Sequence, residues 1–265
     1  MIDKAQVRKN FGRGAVTYDC YAGVQKRMAR GLLDRIKSSG KDFRDILEIG
    51  CGTGFLTELL VRGFPGAHIL AVDISPQMIE AARGKFASCP NVSYLVADGE
   101  NLHIGGSFDL IVSSAVFQWF NSYLRPFSVY YQLLRENGWF IFNTLGEKTF
   151  NELARTLALL GLASPRAAFI NVEELGRVLA GCGFAEWSIE ERMLKDYYLS
   201  ARELLAGIKR IGAQTHCFSA AGTYLKTDEI FKLINLYDGM YRQDDRVYTS
   251  YQVLYGSARK GRGTF

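Results

Sequence analysis

Glu48-Ile49-Gly50-Cys51-Gly52-Thr53-Gly54 decides how the chain reads. Three glycines at alternate positions end the apolar run that begins at Asp45 and open onto the helical pattern FLTELLVRGF, residues 55–64. Apolar run, glycine turn and helical stripe in that order mean strand, loop and helix. Glycine frees the backbone for strained dihedrals and lets a ligand come close. In an open α/β sheet such a loop lies at the carboxyl edge, where ligands bind. A dinucleotide site asks for G-x-G-x-x-G, with glycine at position 55. This chain has Phe55 there, and the acid Glu48 repels phosphate. A ligand with an adenosyl group and a positive centre fits better.

Outward from the loop, strand and helix patterns alternate. HILAVD at 68–73 is a second strand, and Ser75-Pro76 then caps a helix whose stripe is Met78, Ile79, Ala82 and Phe86. VSYLVAD at 92–98 and FDLIVSS at 108–114 are the third and fourth strands. A helix over 122–136 and a turn at Asn137-Gly138 lead into WFIFNTL at 139–145. Strands that are apolar throughout, separated by helices, indicate a parallel sheet covered on both faces. Right-handed crossovers make it doubly wound.

Upstream, Val24, Met28, Leu32 and Ile36 give one stripe of a helix over 15–38, with Tyr18, Tyr21 and Gln25 on a neighbouring face. Downstream, helices are expected at 147–162, 172–181, 200–211 and 227–240, with closing strands at 184–198 and 247–259. The expectation is an α/β, doubly wound, mostly parallel seven-stranded sheet with an N-terminal helical arm and a helical lid over its carboxyl edge. One domain is expected: arm 1–42, cofactor core 43–146, and substrate-side helices with closing strands 147–265.

Composition narrows the class. With 265 residues, 48% aliphatic or aromatic and 22% charged, the chain can bury a sizeable core and is not disordered. No apolar run reaches the roughly 18 residues of a spanning helix; LALLGLA at 157–163 reads as core. The N-terminus shows no secretory h-region. Five scattered cysteines without C-x-x-C suit a reducing cytoplasm. Three lone histidines, His68, His103 and His216, make a metal cluster unexpected. Residues 1–40 hold nine Lys/Arg against three Asp/Glu, so the whole surplus of the +5 chain sits there. That surplus is either a solvated helix face or a docking surface for an acidic partner. No nucleic-acid motif joins these cations.

Two more signals stand at strand ends. Asp73 follows Gly54 by 19 residues and can accept both ribose hydroxyls of an adenosine. Asp98-Gly99, after the third strand, can meet the adenine amino group.

E-I-G-C-G-T-G, V-D-I-S at Val72–Ser75, A-D-G-E at Ala97–Glu100 and F-D-L-I at Phe108–Ile111 resemble the class I S-adenosylmethionine-dependent methyltransferases. A narrower resemblance spans nearly the whole chain. The arm VRKNFGRGAVTYDCYAGVQKRMARGLL, Phe117-Gln118-Trp119, Asn143-Thr144-Leu145, Ile208–Ala213, Tyr248-Thr249-Ser250-Tyr251 and Gly256 are similar to the malonyl-[acyl-carrier protein] O-methyltransferases of biotin synthesis. Many members have proline where Thr249 stands.

The resemblance implies S-adenosylmethionine as cofactor, S-adenosylhomocysteine as product and no metal. The methyl acceptor is the free carboxylate of a malonyl thioester on acyl-carrier protein or coenzyme A. Esterification hides that charge, so fatty-acid enzymes treat the chain as an ordinary primer. Implied cofactor contacts are Glu48, Gly50, Cys51, Gly52, Gly54, Asp73, Ile74, Met78, Asp98, Gly99, Ser114 and Gln118, with Cys51 a small space-filler.

A carboxylate with a pKa of about 4 is already ionised at neutral pH. No general base is needed, only oriented donors. Candidates are Tyr18, Lys209, Arg210, Tyr248 and Tyr251, with Gln118 and Trp119 beside the transfer site. Each also has an ordinary reading: a packed aromatic for the tyrosines, a solvated helix end for Lys209 and Arg210, a satisfied structural histidine for His216. Neither nucleic acid nor membrane is an expected partner, and oligomeric state is left open. The rival functions are a quinone or phenol methyltransferase, which needs a base, and a non-catalytic cofactor-binding protein.

Overall fold

The computed structural model describes residues 1–87, 89–162, 169–212 and 225–262. His216, Ala213 and Cys217 lie outside them.

The chain opens with three helices, α1 (Lys4–Gly14), α2 (Tyr18–Tyr21) and α3 (Gly23–Ser38). The core follows as β1 (Asp45–Ile49), α4 (Phe55–Gly63), β2 (His68–Asp73), α5 (Pro76–Lys85), β3 (Val92–Val96), β4 (Phe108–Ser114), α6 (Leu124–Leu133) and β5 (Leu134–Leu145). The last third is α7 (Asn151–Leu159), α8 (Val172–Gly181), β6 (Glu186–Tyr198), α9 (Ala201–Arg210), α10 (Thr227–Met240), β7 (Arg242–Gln243) and β8 (Arg246–Arg259).

The strands form one sheet in the order β3-β2-β1-β4-β5-β8-β6, with the two-residue β7 hung on β8. Pairing is parallel from β3 to β5, and β8 runs against both its neighbours. The seven long strands are those expected.

Neighbouring residues on each strand feed opposite cores. Ile46, Leu110, Ile141 and Val253 pack with Met28, Leu32 and Leu60 from α3 and α4. Leu47, Ile111, Phe140 and Leu254 pack with Phe127, Leu175 and Leu179 from α6 and α8. Apolar residues on both faces are what a covered parallel sheet requires. A separate small core joins α7, α9 and α10 through Leu153, Leu204, Ile208, Leu233 and Tyr237.

The arm differs from the single helix expected over 15–38. Asp3 caps α1 by accepting from the Ala5 and Gln6 amides. At Gly14 a Cβ would lie 3.0 Å from the Arg210 carbonyl oxygen, so α1 ends hard against α9. Ala22, at φ −85° and ψ 39°, then breaks α2 from α3. The stripe Val24, Met28, Leu32 and Ile36 is fully buried on α3. The helix expected over 122–136 stops at Leu133, because Leu134 already pairs with Phe108 before a register shift at the positive-φ Asn137.

Candidate active site

A cleft runs along the carboxyl ends of β1, β2, β3 and β4, and α1 roofs it with Lys4, Val7 and Phe11. Its floor is Gly50 and Gly52. Gly50 has φ +72°, and a Cβ there would stand 2.2 Å from the Val116 Cγ2 atom, so only glycine fits.

Asp73 sits at the end of β2 with both oxygens held by backbone. The Gly52 amide donates to one at 2.9 Å and the Ser75 amide to the other at 2.8 Å. Burial pushes its carboxyl up to about 6. About two lone-pair sites stay open toward the cleft, which two hydroxyl donors can fill. Asp98 caps the turn Gly99–Asn101 and accepts from the Glu100 amide at 3.0 Å. Ile74, Met78, Ala97 and Phe120 supply apolar walls between the two acids.

Among the described lining residues one cation, Lys4, enters this acidic cleft, and no motif in the chain announced it. The Lys4 ammonium lies 2.6 Å from Glu100 and 3.7 Å from Asp98, donates to the Trp119 carbonyl at 2.9 Å, and stands 4.5 Å from the centre of the Phe120 ring. The other carboxylate oxygen of Glu100 accepts from the Asn121 and Ser122 amides.

A second chamber opens beside the cleft. Phe11, Tyr18, Ala115 and Trp119 face both spaces. The chamber continues between Gln25, Gln118, Leu145, Phe150, Ile211 and Tyr251. Among its described lining residues there is no Lys, Arg, Asp, Glu or His. Two backbones with positive φ, Ala115 at 58° and Phe150 at 59°, border it. Such dihedrals cluster where function over-determines the fold. The Phe150 amide donates to the Ser250 carbonyl at 2.8 Å, and its ring packs edge-on against Tyr251 at 4.9 Å.

Tyr18 stands at the junction. Burial and the nearby Asp73 and Asp19 carboxylates drive its hydroxyl well above the ordinary tyrosine value. It therefore stays protonated, able to donate a hydrogen bond but not to act as a base. Asp19 ties α2 to the glycine loop by accepting from the Thr53 hydroxyl at 2.6 Å and pairing with Lys85.

Gly50, Gly52, Asp73, Ile74, Met78, Asp98, Gly99 and Ser114 line the cleft. Four other expected contacts stand apart. Glu48 is buried behind the loop, taking a 2.7 Å hydrogen bond from Thr57. Burial lifts its carboxyl to about 7. Gly54 caps α4 and packs on Phe86 and Ala82. Cys51 faces an adjoining cleft under α2, which shares Tyr18, Gly50, Gly52 and Ser114 with the first. Gln118 belongs to the chamber, where it accepts from Thr144 and donates to the Ala115 carbonyl.

Of the expected substrate-side residues, Tyr18 and Tyr251 reach the chamber and three do not. Lys209 and Arg210 are exposed, because Leu204, Ile208 and Ile211 form the packed side of α9. Tyr248 points to the other side of β8 from Tyr251, into a cluster with Lys195 and Tyr241.

The comparisons with known proteins agree with this geometry. A family described as "Methyltransferase domain" matches residues 47–142. A malonyl-[acyl-carrier protein] O-methyltransferase of Priestia megaterium is 37% identical, over 96% of this chain and 97% of its own length. The chain belongs to the malonyl-[acyl-carrier protein] O-methyltransferase family. A member from Acetivibrio thermocellus is 34% identical over 98% of this chain and 95% of its own.

Among solved structures, the YcgJ protein of Bacillus subtilis superposes with a TM-score of 0.63 at 16% identity, covering 88% of this chain and all of its own. Phosphoethanolamine N-methyltransferase 2 of Haemonchus contortus, solved with S-adenosyl-L-methionine, gives 0.61 at 19% identity, over 95% of this chain and 57% of its own. Both show the fold. Within the family frame, the residues conveyed by α1, above all Lys4 and Phe11, were missed because their partners lie on loops about a hundred residues away.

Proposed function

We propose that the chain moves the methyl group of S-adenosylmethionine onto the free carboxylate of a malonyl thioester. The products are the methyl ester that primes biotin-precursor synthesis and S-adenosylhomocysteine. The observation that carries this reading is the uncharged chamber opening through Tyr18 onto an acid-lined cleft.

S-adenosylmethionine, when bound, supplies an electrophilic methyl on a positive sulfur. In this reading Asp73 accepts ribose hydroxyls, Asp98 meets the adenine amino group, and Ile74, Met78 and Phe120 hold the base; their place along one cleft supports it. The adenosyl group fits this cleft: two carboxylates with open lone pairs face it, and Gly50 leaves no side chain on its floor. Among the described residues, no group of three or more His, Cys, Asp or Glu is placed to hold a metal.

The acceptor carboxylate arrives ionised, so the chamber needs no base, and none lines its described walls. A phenol or quinol acceptor would need one, which favours the carboxylate reading over that rival. On this reading the oxygens are oriented by neutral donors, Tyr18, Gln25, Gln118 and Tyr251, which line the chamber, while Lys209 and Arg210 are exposed. Each hydrogen bond to a charged group is worth about 1.5–3 kcal/mol, enough to orient the oxygens. A bound guanidinium would hold the same oxygen pair tightly and blunt it as a nucleophile. Removal of water by the aromatic walls and fixed alignment supply the rate; well-aligned reactants gain up to about 7–11 kcal/mol.

The thioester is carried by an acyl-carrier protein, with coenzyme A as its small-molecule counterpart, and the setting proposed is the cytoplasm. Among the described residues no helix is long and apolar enough to cross a membrane. Neither nucleic acid nor membrane enters the reaction. Incubation with S-adenosylmethionine and malonyl-acyl-carrier protein should add one methyl to the carrier by intact-protein mass spectrometry. Cleavage of the thioester with neutral hydroxylamine, followed by detection of the monomethyl malonyl hydroxamate and not the methylmalonyl one, marks the methyl as an ester. Absence of the ester, with cofactor binding intact, would reject the acceptor.

A further inference from the structure

We propose that the corner where the C-terminal ends of α1 and α9 meet is the landing surface for a protein carrier with a carboxylate-rich face. The inference rests on the thioester reading above and deepens it by placing the partner.

The two helix ends touch directly. A Cβ on Gly14 would lie 3.0 Å from the Arg210 carbonyl oxygen, and one on Gly212 would lie 3.0 Å from the Asn10 backbone. The Thr17 hydroxyl reaches the same Arg210 carbonyl at 3.5 Å. The Arg210 guanidinium lies over the Tyr21 ring at 4.7 Å and donates to its hydroxyl.

Arg8, Lys9 and Arg13 on α1 and Lys209 on α9 are exposed. None of the four has a carboxylate within ion-pair distance among the described residues, although Arg27, Arg35 and Arg135 elsewhere on the surface are paired. Asp19, six residues beyond Arg13, is already taken by Thr53 and Lys85. Val16, in the turn between α1 and α2, is 92% exposed. Unpaired cations around an exposed aliphatic side chain and an Arg–Tyr stack are the composition of a protein-binding patch.

Chain adjacency joins this corner to the chemistry. Thr17 and Arg210 meet at the surface, while their next neighbours, Tyr18 and Ile211, line the chamber. A carrier seated on the corner holds its tethered thioester over the chamber mouth. The proposed reaction requires one macromolecule near this mouth, and attraction between its carboxylates and the exposed cations of α1, which line a groove with Gln77 of α5, and of α9 steers it there.

The test is Lys9→Glu/Arg13→Glu/Lys209→Glu, three exposed positions outside the cleft and chamber. Wild type and variant are assayed with malonyl-acyl-carrier protein and with malonyl-pantetheine, which has no carrier surface. The KM for the protein thioester should rise about tenfold or more. Turnover of malonyl-pantetheine should stay within about twofold, and added salt should raise the first KM only. Equal losses on both substrates, or no change on either, would overturn the proposal. Binding of unacylated holo-carrier by fluorescence anisotropy reads the surface without methyl transfer. Charge-sensitive carrier binding by an enzyme that esterifies neither thioester would keep the surface and reject the reaction. Charge-sensitive binding of duplex DNA or anionic phosphatidylglycerol vesicles, with none of the carrier, would reject the surface as stated.

Discussion

The Lys4 ammonium and the Glu100 carboxylate meet at 2.6 Å, 96 positions apart in the chain, and the contact fastens α1 over the cofactor cleft. Both groups are largely removed from solvent, and the remaining Glu100 oxygen is committed to two backbone amides. Lys4→Met keeps the aliphatic stem and deletes the charge, leaving Glu100 buried without its cation. Breaking such a pair should destabilise the protein by about 3 kcal/mol. The Kd for S-adenosylmethionine should rise about tenfold, since the roof is no longer fastened. Calorimetric titration and thermal unfolding measure the two effects.

Asp73 predicts a pH dependence of cofactor binding. Its carboxyl is pushed up to about 6 by burial, and only the ionised form offers all its lone pairs to ribose hydroxyls. Affinity should therefore increase as pH rises from 5 to 7 and level off above. Asp73→Asn should weaken binding by about 1–3 kcal/mol and flatten the profile. An unaltered profile in the variant would remove Asp73 from the ribose.

Glu48 behaves in the opposite sense for stability. Its folded-state value of about 7 lies above the ordinary 4.5, so the folded protein holds a proton that the unfolded chain releases. The stability this gives is present below about pH 4.5 and lost as pH rises through 7. Glu48→Gln keeps an acceptor for Thr57 and removes the buried charge. It should raise the melting temperature of the ligand-free protein at pH 8 and change it little at pH 5, as read by scanning calorimetry.

Tyr18→Phe deletes one neutral donor at the junction of cleft and chamber. kcat should fall about 10- to 100-fold, with the cofactor Kd within about threefold, because losing an oriented charge-assisted hydrogen bond costs about 1.5–3 kcal/mol. The pH profile of kcat should keep its shape, since the hydroxyl stays protonated throughout the working range. Loss in the variant of a limb that the wild-type profile shows would mean that Tyr18 had been titrating.

The centre of the sheet was legible because β1, β2 and β4 are short, apolar on both sides and punctuated by glycine or a helix cap, whereas the thirteen-residue β6 is mostly exposed. The acids at the ends of β2 and β3 followed from the same grammar. α1 was not legible: Val7 and Phe11 are nearly alone among cations, too few for a stripe, and the helix is held by contacts with loops far along the chain. The chamber was legible only in part, since Gln25, Leu145, Phe150 and Ile211 come from segments that topology alone unites. For Lys209 and Arg210 the signal was present and outweighed by residue type. Leu204, Ile208 and Ile211 already set the inner side of α9, which turns its two cations to solvent.

One helix of eleven residues is both the ceiling of the cofactor cleft and the bearer of three of the corner's cations. On the docking proposal, a carrier seated on the outer side of this helix would hold the ceiling down over a bound nucleoside. The order expected from that proposal is methyl donor first, acyl partner second and the spent nucleoside last, an order that product-inhibition kinetics read.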